Sequence, residues 1–347
     1  MSLIDLRSDT VTLPTDEMRT AIYNAELGDD VFAEDPTTNQ LQTMAAELMD
    51  KEAGLLVSSG TQGNLVCTLT HCKRGEEVIL GDKSHMFLNE AGGMSVIGGI
   101  HPHTIPNQPD GTMRLEDIEA AIRGDNEHWA RTRLICLENT HNRCSGAALT
   151  PDYFTSVASL ARQHKLSVHC DGARIFNAVV ALGVDVKEFT KHVDSVTFCL
   201  SKGLSAPIGS VVCGSQKFIA EARRNRKILG GGMRQCGIIA AAGITAIEVM
   251  IERLQEDHDN ARRLAEGIEK IPGVSIDLKR IQTNIVYFDL TADRIKPDAL
   301  VEQLEKRGIK FLRTGPKRYR MVTHYGISRD DIDTTLKALN EVMANLK

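Results

Sequence analysis

None of the eight cysteines in this 347-residue chain is spaced C-x-x-C from another. That absence argues against a zinc site and a thioredoxin-type motif. Basic excess is lacking too. The formal net charge is -5, so neither nucleic acid nor an anionic membrane is an expected partner. The first ten residues, Met1 to Thr10, are too charged for a secretory signal. No apolar run is long enough to span a bilayer. No internal repeat, low-complexity segment or long linker interrupts the chain. Cys136, Cys170, Cys199 and Cys213 fall in strand-like runs and read as small core residues, which suits a reducing cytoplasm.

What remains is a chain of ordinary globular composition, 42% apolar and 25% charged, long enough for two domains. Strand-like and helix-like stretches alternate, the mark of an α/β layer architecture. Helices are expected over Asn39–Asp50, Gln62–His71 and a segment opened by Thr150-Pro151. Short apolar runs at Leu55–Val57, Val78–Leu80, Leu134–Leu137, Leu166–Cys170, Ser195–Leu200 and Ser210–Cys213 read as strands. Runs apolar on both sides predict a mostly parallel central sheet with helices on both faces. Beyond residue 250 the pattern becomes a smaller C-terminal α+β domain. The expected division is therefore 1–250 for the N-terminal arm and large domain, and 251–347 for the small one. The arm before Asn39 has little periodicity, so other parts of the protein must hold it if it is ordered.

The run Ser195–Leu200 leads straight into Ser201-Lys202-Gly203. Partial burial favours the neutral form of an amine, and the neutral amine attacks carbonyls. Gly203 is expected to leave room for a flat group against the backbone. Thirty-one residues upstream, Asp171 ends another strand-like run. A lysine and an aspartate at the carboxyl ends of neighbouring strands suit pyridoxal 5'-phosphate (PLP). The lysine forms the Schiff base, and the carboxylate keeps the pyridine nitrogen protonated. In an open parallel sheet, ligands bind beyond those same strand ends. Gly60 and Thr61 open a helix there, and its exposed N–H groups suit a phosphate. His85 follows the Val78–Leu80 strand and is placed to stack on a ring or act as a base. Arg174, just past Asp171, is read as a fork for a substrate carboxylate or a cofactor oxygen, with a plain salt bridge as the alternative. Gly230-Gly231-Gly232 suggests close backbone approach to a ligand or another subunit.

At these residues the chain resembles the low-specificity L-threonine aldolases, PLP enzymes of fold type I. The likeness runs nearly end to end. It includes Asp5-Leu6-Arg7-Ser8-Asp9-Thr10, Gly28-Asp29-Asp30-Val31, Ser59-Gly60-Thr61, Ser84-His85 and Glu138-Asn139-Thr140-His141-Asn142. It continues through Asp171-Gly172-Ala173-Arg174, Cys199-Leu200-Ser201-Lys202-Gly203, Gly230–Gln235 and Met321-Val322-Thr323-His324. The resemblance implies a PLP-dependent transferase-like fold and retro-aldol cleavage of L-threonine and L-allo-threonine to glycine and acetaldehyde. It implies Lys202 as the Schiff-base lysine, Asp171 as the pyridine partner and His85 as the stacked histidine. Gly60 and Thr61 match the phosphate cradle. Lys227 and Arg234 match basic residues that reach a phosphate, across a subunit boundary. Ser8, Arg174 and Arg320 match groups near the substrate carboxylate, and His128 matches a second histidine near the substrate hydroxyl. No metal is expected in the site. A homo-oligomer follows, a tetramer built from dimers with shared sites. The rivals are another fold type I enzyme (a β-eliminating lyase or aminotransferase), a cofactor-free lysine aldolase, and a non-catalytic metabolite-binding protein.

Overall fold

The computed structural model describes residues 3–346. Among these, seven strands form the large sheet. In spatial order they are Ala53–Val57, Ser210–Gly214, Ser195–Cys199, Ser167–Asp171, Arg131–Glu138, Glu76–Gly81 and His101–Ile105. Only Ser210–Gly214 runs against its neighbours; every other adjacent pair in the sheet is parallel.

The strand sequences explain the layering. Side chains alternate across a strand, so a run apolar at every position fills two cores. Leu56, Ile79, Ile135, Val168, Val196 and Val211 face one core. The helices Pro36–Leu48, Pro151–Gln163 and Gly237–Val249 pack into that core. On the opposite face, Leu55, Val57 and Val212 meet Val66 and Cys67 of the Gly60–His71 helix. The helix ends follow local chemistry. Asp35 caps the Pro36–Leu48 helix, which starts three residues before the periodicity suggests because Pro36 is favourable at N1. Thr150 caps the Pro151 helix as expected. Ser328 and Asp331 make a full capping box on Arg329–Asn345.

The second core gathers Ala261, Leu264, Ile268, Phe288, Tyr319, Leu339 and Met343. Its four-stranded antiparallel sheet contains Ile285–Leu290 and Arg318–Val322 side by side. The arm departs from the division drawn at residue 250. Ile4 and Leu6 are buried in this second core. Ile4–Asp5 forms a parallel bridge with Ile309–Lys310, and Leu6 O accepts from Val322 N at 2.9 Å. From Ile4 to Leu6 the arm therefore belongs to the C-terminal unit, and it then crosses to the large sheet, carrying Ser8 and Asp9 between the two.

Candidate active site

All parallel strands of the large sheet end at one edge. Gly60, His85, Glu138, Asp171 and Lys202 stand at or just past those ends. A cavity of about 450 Å³ opens there, lined by Ser8, His85, Arg174, Lys202, Tyr287 and Arg320 among others. Six residues separated by up to 312 positions thus meet in one place.

Lys202 sits on the turn between the Ser195–Cys199 and Ser210–Gly214 strands. Its carbonyl accepts from Ser205 N at 2.9 Å and from Thr12 Oγ1 at 3.1 Å, so the arm braces the lysine backbone. Among the described residues, its Nζ has no hydrogen-bond or ion-pair partner. Gly203 serves another purpose than expected. A Cβ there would stand 2.9 Å from Leu254 Cδ2, so the missing side chain admits a neighbouring helix rather than a flat ligand.

Asp171 is buried. Its Oδ2 accepts from Asn64 Nδ2 at 2.9 Å and its Oδ1 from Ala173 N at 3.1 Å. His85 Nδ1 lies 2.8 Å from Glu90 Oε1, and the His85 backbone N donates to Glu138 Oε2 at 2.6 Å. The hydrogen bond to Glu90 raises the imidazole pKa from its ordinary value. Burial raises that of Glu90. His85, Glu90 and Asp171 each bring a ring nitrogen or carboxylate oxygen within 4.8 Å of the others, and Asn64 supplies one N–H to each of the two carboxylates.

Arg174 lines the cavity and is salt-bridged as well, to the N-terminal arm and not along its own helix. Its Nε and Nη2 both donate to Asp9 at 2.6 Å, in a buried bidentate pair. The paired guanidinium drives the Asp9 carboxyl far below the usual carboxylate range. Among the described residues only Nη1 is left without a partner. Arg320 donates to Asn142 Oδ1 at 2.8 Å and to Arg7 O at 3.0 Å, and desolvation lowers its pKa. Ser8 Oγ accepts from Thr10 N at 3.2 Å while lining the cavity.

PLP fits these residues. Ser59 Oγ caps Gln62 N at 3.2 Å, leaving the N–H groups of Gly60 and Thr61 without partners among the described residues. A Cβ at Gly60 would stand 2.9 Å from Cys199 Sγ and 3.8 Å from Ser210 Oγ, a buried hydroxyl that is itself unpartnered. Two free N–H groups and a nearby hydroxyl at a helix start are a donor set for a phosphate. A carboxylate and an amine at adjacent strand ends match the pyridine nitrogen and the carbonyl.

Three expected residues are not brought to this cavity within one chain. His128 is largely exposed, three residues before the Arg131–Glu138 strand begins. Seven residue steps of about 3.3 Å put that end roughly 23 Å from the edge where Glu138 stands. Arg234 Nη1 pairs with Asp29 Oδ2 at 2.9 Å on the surface. Lys227 lines a separate cavity of about 560 Å³ with Arg223, Arg224 and Gly232. The glycine run approaches the Gly60 helix: a Cβ at Gly231 would lie 2.2 Å from Gln62 Nε2. Asn64, Glu90, Glu138, Asp9 and Tyr287 escaped the sequence reading. Glu138 carried a usable signal, since it ends a strand as Asp171 does.

Comparison with known proteins decides the family. The model for beta-eliminating lyases matches residues 5–291. Low-specificity L-threonine aldolase 1 of Arabidopsis thaliana is 47% identical over 351 residues, covering 100% of this chain and 98% of the relative. The low specificity L-threonine aldolase of Escherichia coli K12 is 46% identical over 330 residues, covering 95% and 96%. The chain belongs to the low-specificity L-threonine aldolase family. In fold it is similar to a Leishmania major threonine aldolase, with a TM-score of 0.84 at 18% identity over 98% of this chain and 99% of that one. The resemblance read from the motifs therefore holds for the family and for the fold. No helix among the described residues is long and apolar enough to cross a membrane. All eight cysteines are free and buried.

Proposed function

We propose that this chain cleaves L-threonine and L-allo-threonine to glycine and acetaldehyde, with PLP as cofactor. The observation that carries the reading is the Lys202 amine, unpartnered among the described residues, in one cavity with Arg320 and His85, with the buried Asp171 carboxylate ending the neighbouring strand. Bound PLP supplies the carbonyl carbon that an amine attacks and the conjugated ring that accepts the electron pair of the broken Cα–Cβ bond.

The chain's own groups do the rest. Arg320 and the free Nη1 of Arg174 hold the substrate carboxylate, and Asp9 keeps the Arg174 fork in place from behind. With one carboxylate clamped, the Cα–Cβ bond takes a fixed direction, and orientation of this kind accounts for much of an enzyme's rate. Glu90 anchors the Nδ1–H of His85, which leaves Nε2 of this cavity-lining ring as the nitrogen to take the β-hydroxyl proton. Asp171, held by Asn64 and the Ala173 N–H, would accept a hydrogen bond from the ring nitrogen of bound PLP. Gly60, Thr61 and Ser210 hold the phosphate.

The remaining family residues take their place through a second copy of the chain. His128, Lys227 and Arg234 then complete a neighbour's site, which fits a dimer or a tetramer of dimers. Leu13, Tyr23, Phe32 and Ile228 leave large apolar side chains exposed, as subunit contact requires. The test is to give both diastereomers to the purified protein, with and without added PLP. Glycine and acetaldehyde in equal amounts, dependent on PLP, are expected. Ammonia and a keto acid instead would make it a β-eliminating enzyme.

A further inference from the structure

A buried chain of hydrogen bonds runs from the cluster beneath the cavity to the far end of the Gly60–His71 helix. Asn64 Nδ2 donates to both Glu90 Oε1 and Asp171 Oδ2, each at 2.9 Å. Asn64 Oδ1 lies 3.2 Å from His169 Nε2. His169 Nδ1 lies 2.8 Å from Ser195 Oγ, which lies 2.7 Å from His71 Nε2. Asn64, His169 and Ser195 are buried essentially completely.

Chemistry fixes the direction of every bond. An amide has two N–H donors, and here both face carboxylates. Its oxygen can only accept, so His169 must carry its proton on Nε2. Burial pushes His169 down to about 3, so the ring is neutral and its Nδ1 accepts. Ser195 then donates to Nδ1 and accepts from the Nε2–H of His71. All the donors point toward Asp171. Turned over, Asn64 would set its oxygen against two carboxylates, and His169 would lose its acceptor.

On the PLP reading given above, we infer that Asn64 is a positioning residue: it fixes Asp171 under the ring nitrogen and Glu90 under His85 with one amide, and the His169–Ser195–His71 chain locks that amide's orientation. The groups that would face the two sides of the cofactor are thereby joined through a single side chain that touches no substrate.

The test is PLP affinity, measured by equilibrium dialysis of the stripped protein. Asn64→Ala is expected to weaken PLP about tenfold, the worth of one hydrogen bond to a charged group. Asn64→Asp, nearly the same shape, is expected to bind at least as weakly at about pH 8, since it places a third carboxylate beside two. Relative to the native protein, it should regain affinity as the pH falls toward about 6 and its carboxyl proton restores a donor. Ser195→Ala, which removes one oxygen far from the cavity, is expected to weaken PLP in the same direction by a few-fold. A merely space-filling Asn64 predicts the opposite order, with Asp better than Ala and no pH dependence. Native-like PLP affinity in Asn64→Ala and Ser195→Ala would overturn the inference while leaving the function intact. Failure of the native protein to bind PLP would overturn both.

Discussion

Replacing Gly63 with alanine drives a methyl group into the Thr197 side chain. The ideal Cβ would lie 2.6 Å from Thr197 Cγ2 and 3.4 Å from Val212 Cγ2, where ordinary contact begins near 3.4 Å. The Gly60–His71 helix must therefore lift off the sheet by about 1 Å, because neither Thr197 nor Val212 has room to yield in a close-packed layer. Overpacking of this kind costs about 1–3 kcal/mol, and the helix regains about 1 kcal/mol from alanine's higher propensity. Global stability should thus fall by about 0–2 kcal/mol. PLP affinity is the sensitive quantity, because the same helix carries the Gly60 and Thr61 N–H groups one turn away. Losing one charge-assisted bond to the phosphate costs about 1.5–3 kcal/mol, a factor of roughly 10 to 100 in the dissociation constant. The assay is PLP binding to stripped protein, with Gly124→Ala as control. A Cβ at Gly124 meets only Trp129, at an ordinary 3.7 Å. If Gly63→Ala binds PLP as tightly as Gly124→Ala, the close seating of this helix is not what places the cradle.

Asp9→Asn leaves Arg174 buried beside Lys202 without its charge partner. Breaking a buried pair of this kind costs about 3–5 kcal/mol, so the variant should melt earlier and show a higher KM for threonine. An unchanged melting curve and KM would mean that the arm does not hold the cavity wall. His258, which burial depresses to about 4, adds to acid lability. Above pH 6.5 it is neutral in both states. As the pH falls from 6.5 toward 4, the unfolded chain takes up a proton that the folded one does not, so stability is lost across that window. His258→Gln should flatten the slope of unfolding free energy against pH there by about 1.4 kcal/mol per unit. An unchanged slope would show that the ring is already charged in the folded protein.

The fold was legible because its strands are apolar at every position. Only a sheet covered on both faces buries Leu55 with Leu56, or Val211 with Val212. The residues that end those strands were legible for a related reason. A polar side chain directly after a buried run, as at Asp171 and Lys202, has few structural explanations. Asn64 and Glu90 were hidden because their partners lie 107 and 5 residues away, and nothing local marks a helix interior or a loop as facing a carboxylate. Arg174 shows the limit from the other side. Its position promised a ligand fork, but Asp9 on the arm, 165 residues earlier, occupies two of its nitrogens. The arm was hard to read because its elements are short and split between two cores: Ile4 and Leu6 sit in the second core, Met18 of the Asp16–Asn24 helix sits in the first, and between them Thr12 holds the Lys202 carbonyl. His128 follows the family motif in sequence, yet the parallel strand after it carries the chain from the opposite edge of the sheet.

The most direct test is to ask which amine carries the cofactor. The purified protein is incubated with PLP, reduced with borohydride, digested and mapped by mass spectrometry, with Lys202→Ala in parallel. The expected result is a single pyridoxyl adduct on Lys202, absent from the variant together with threonine cleavage. An adduct on another lysine, or full turnover by Lys202→Ala, would contradict it.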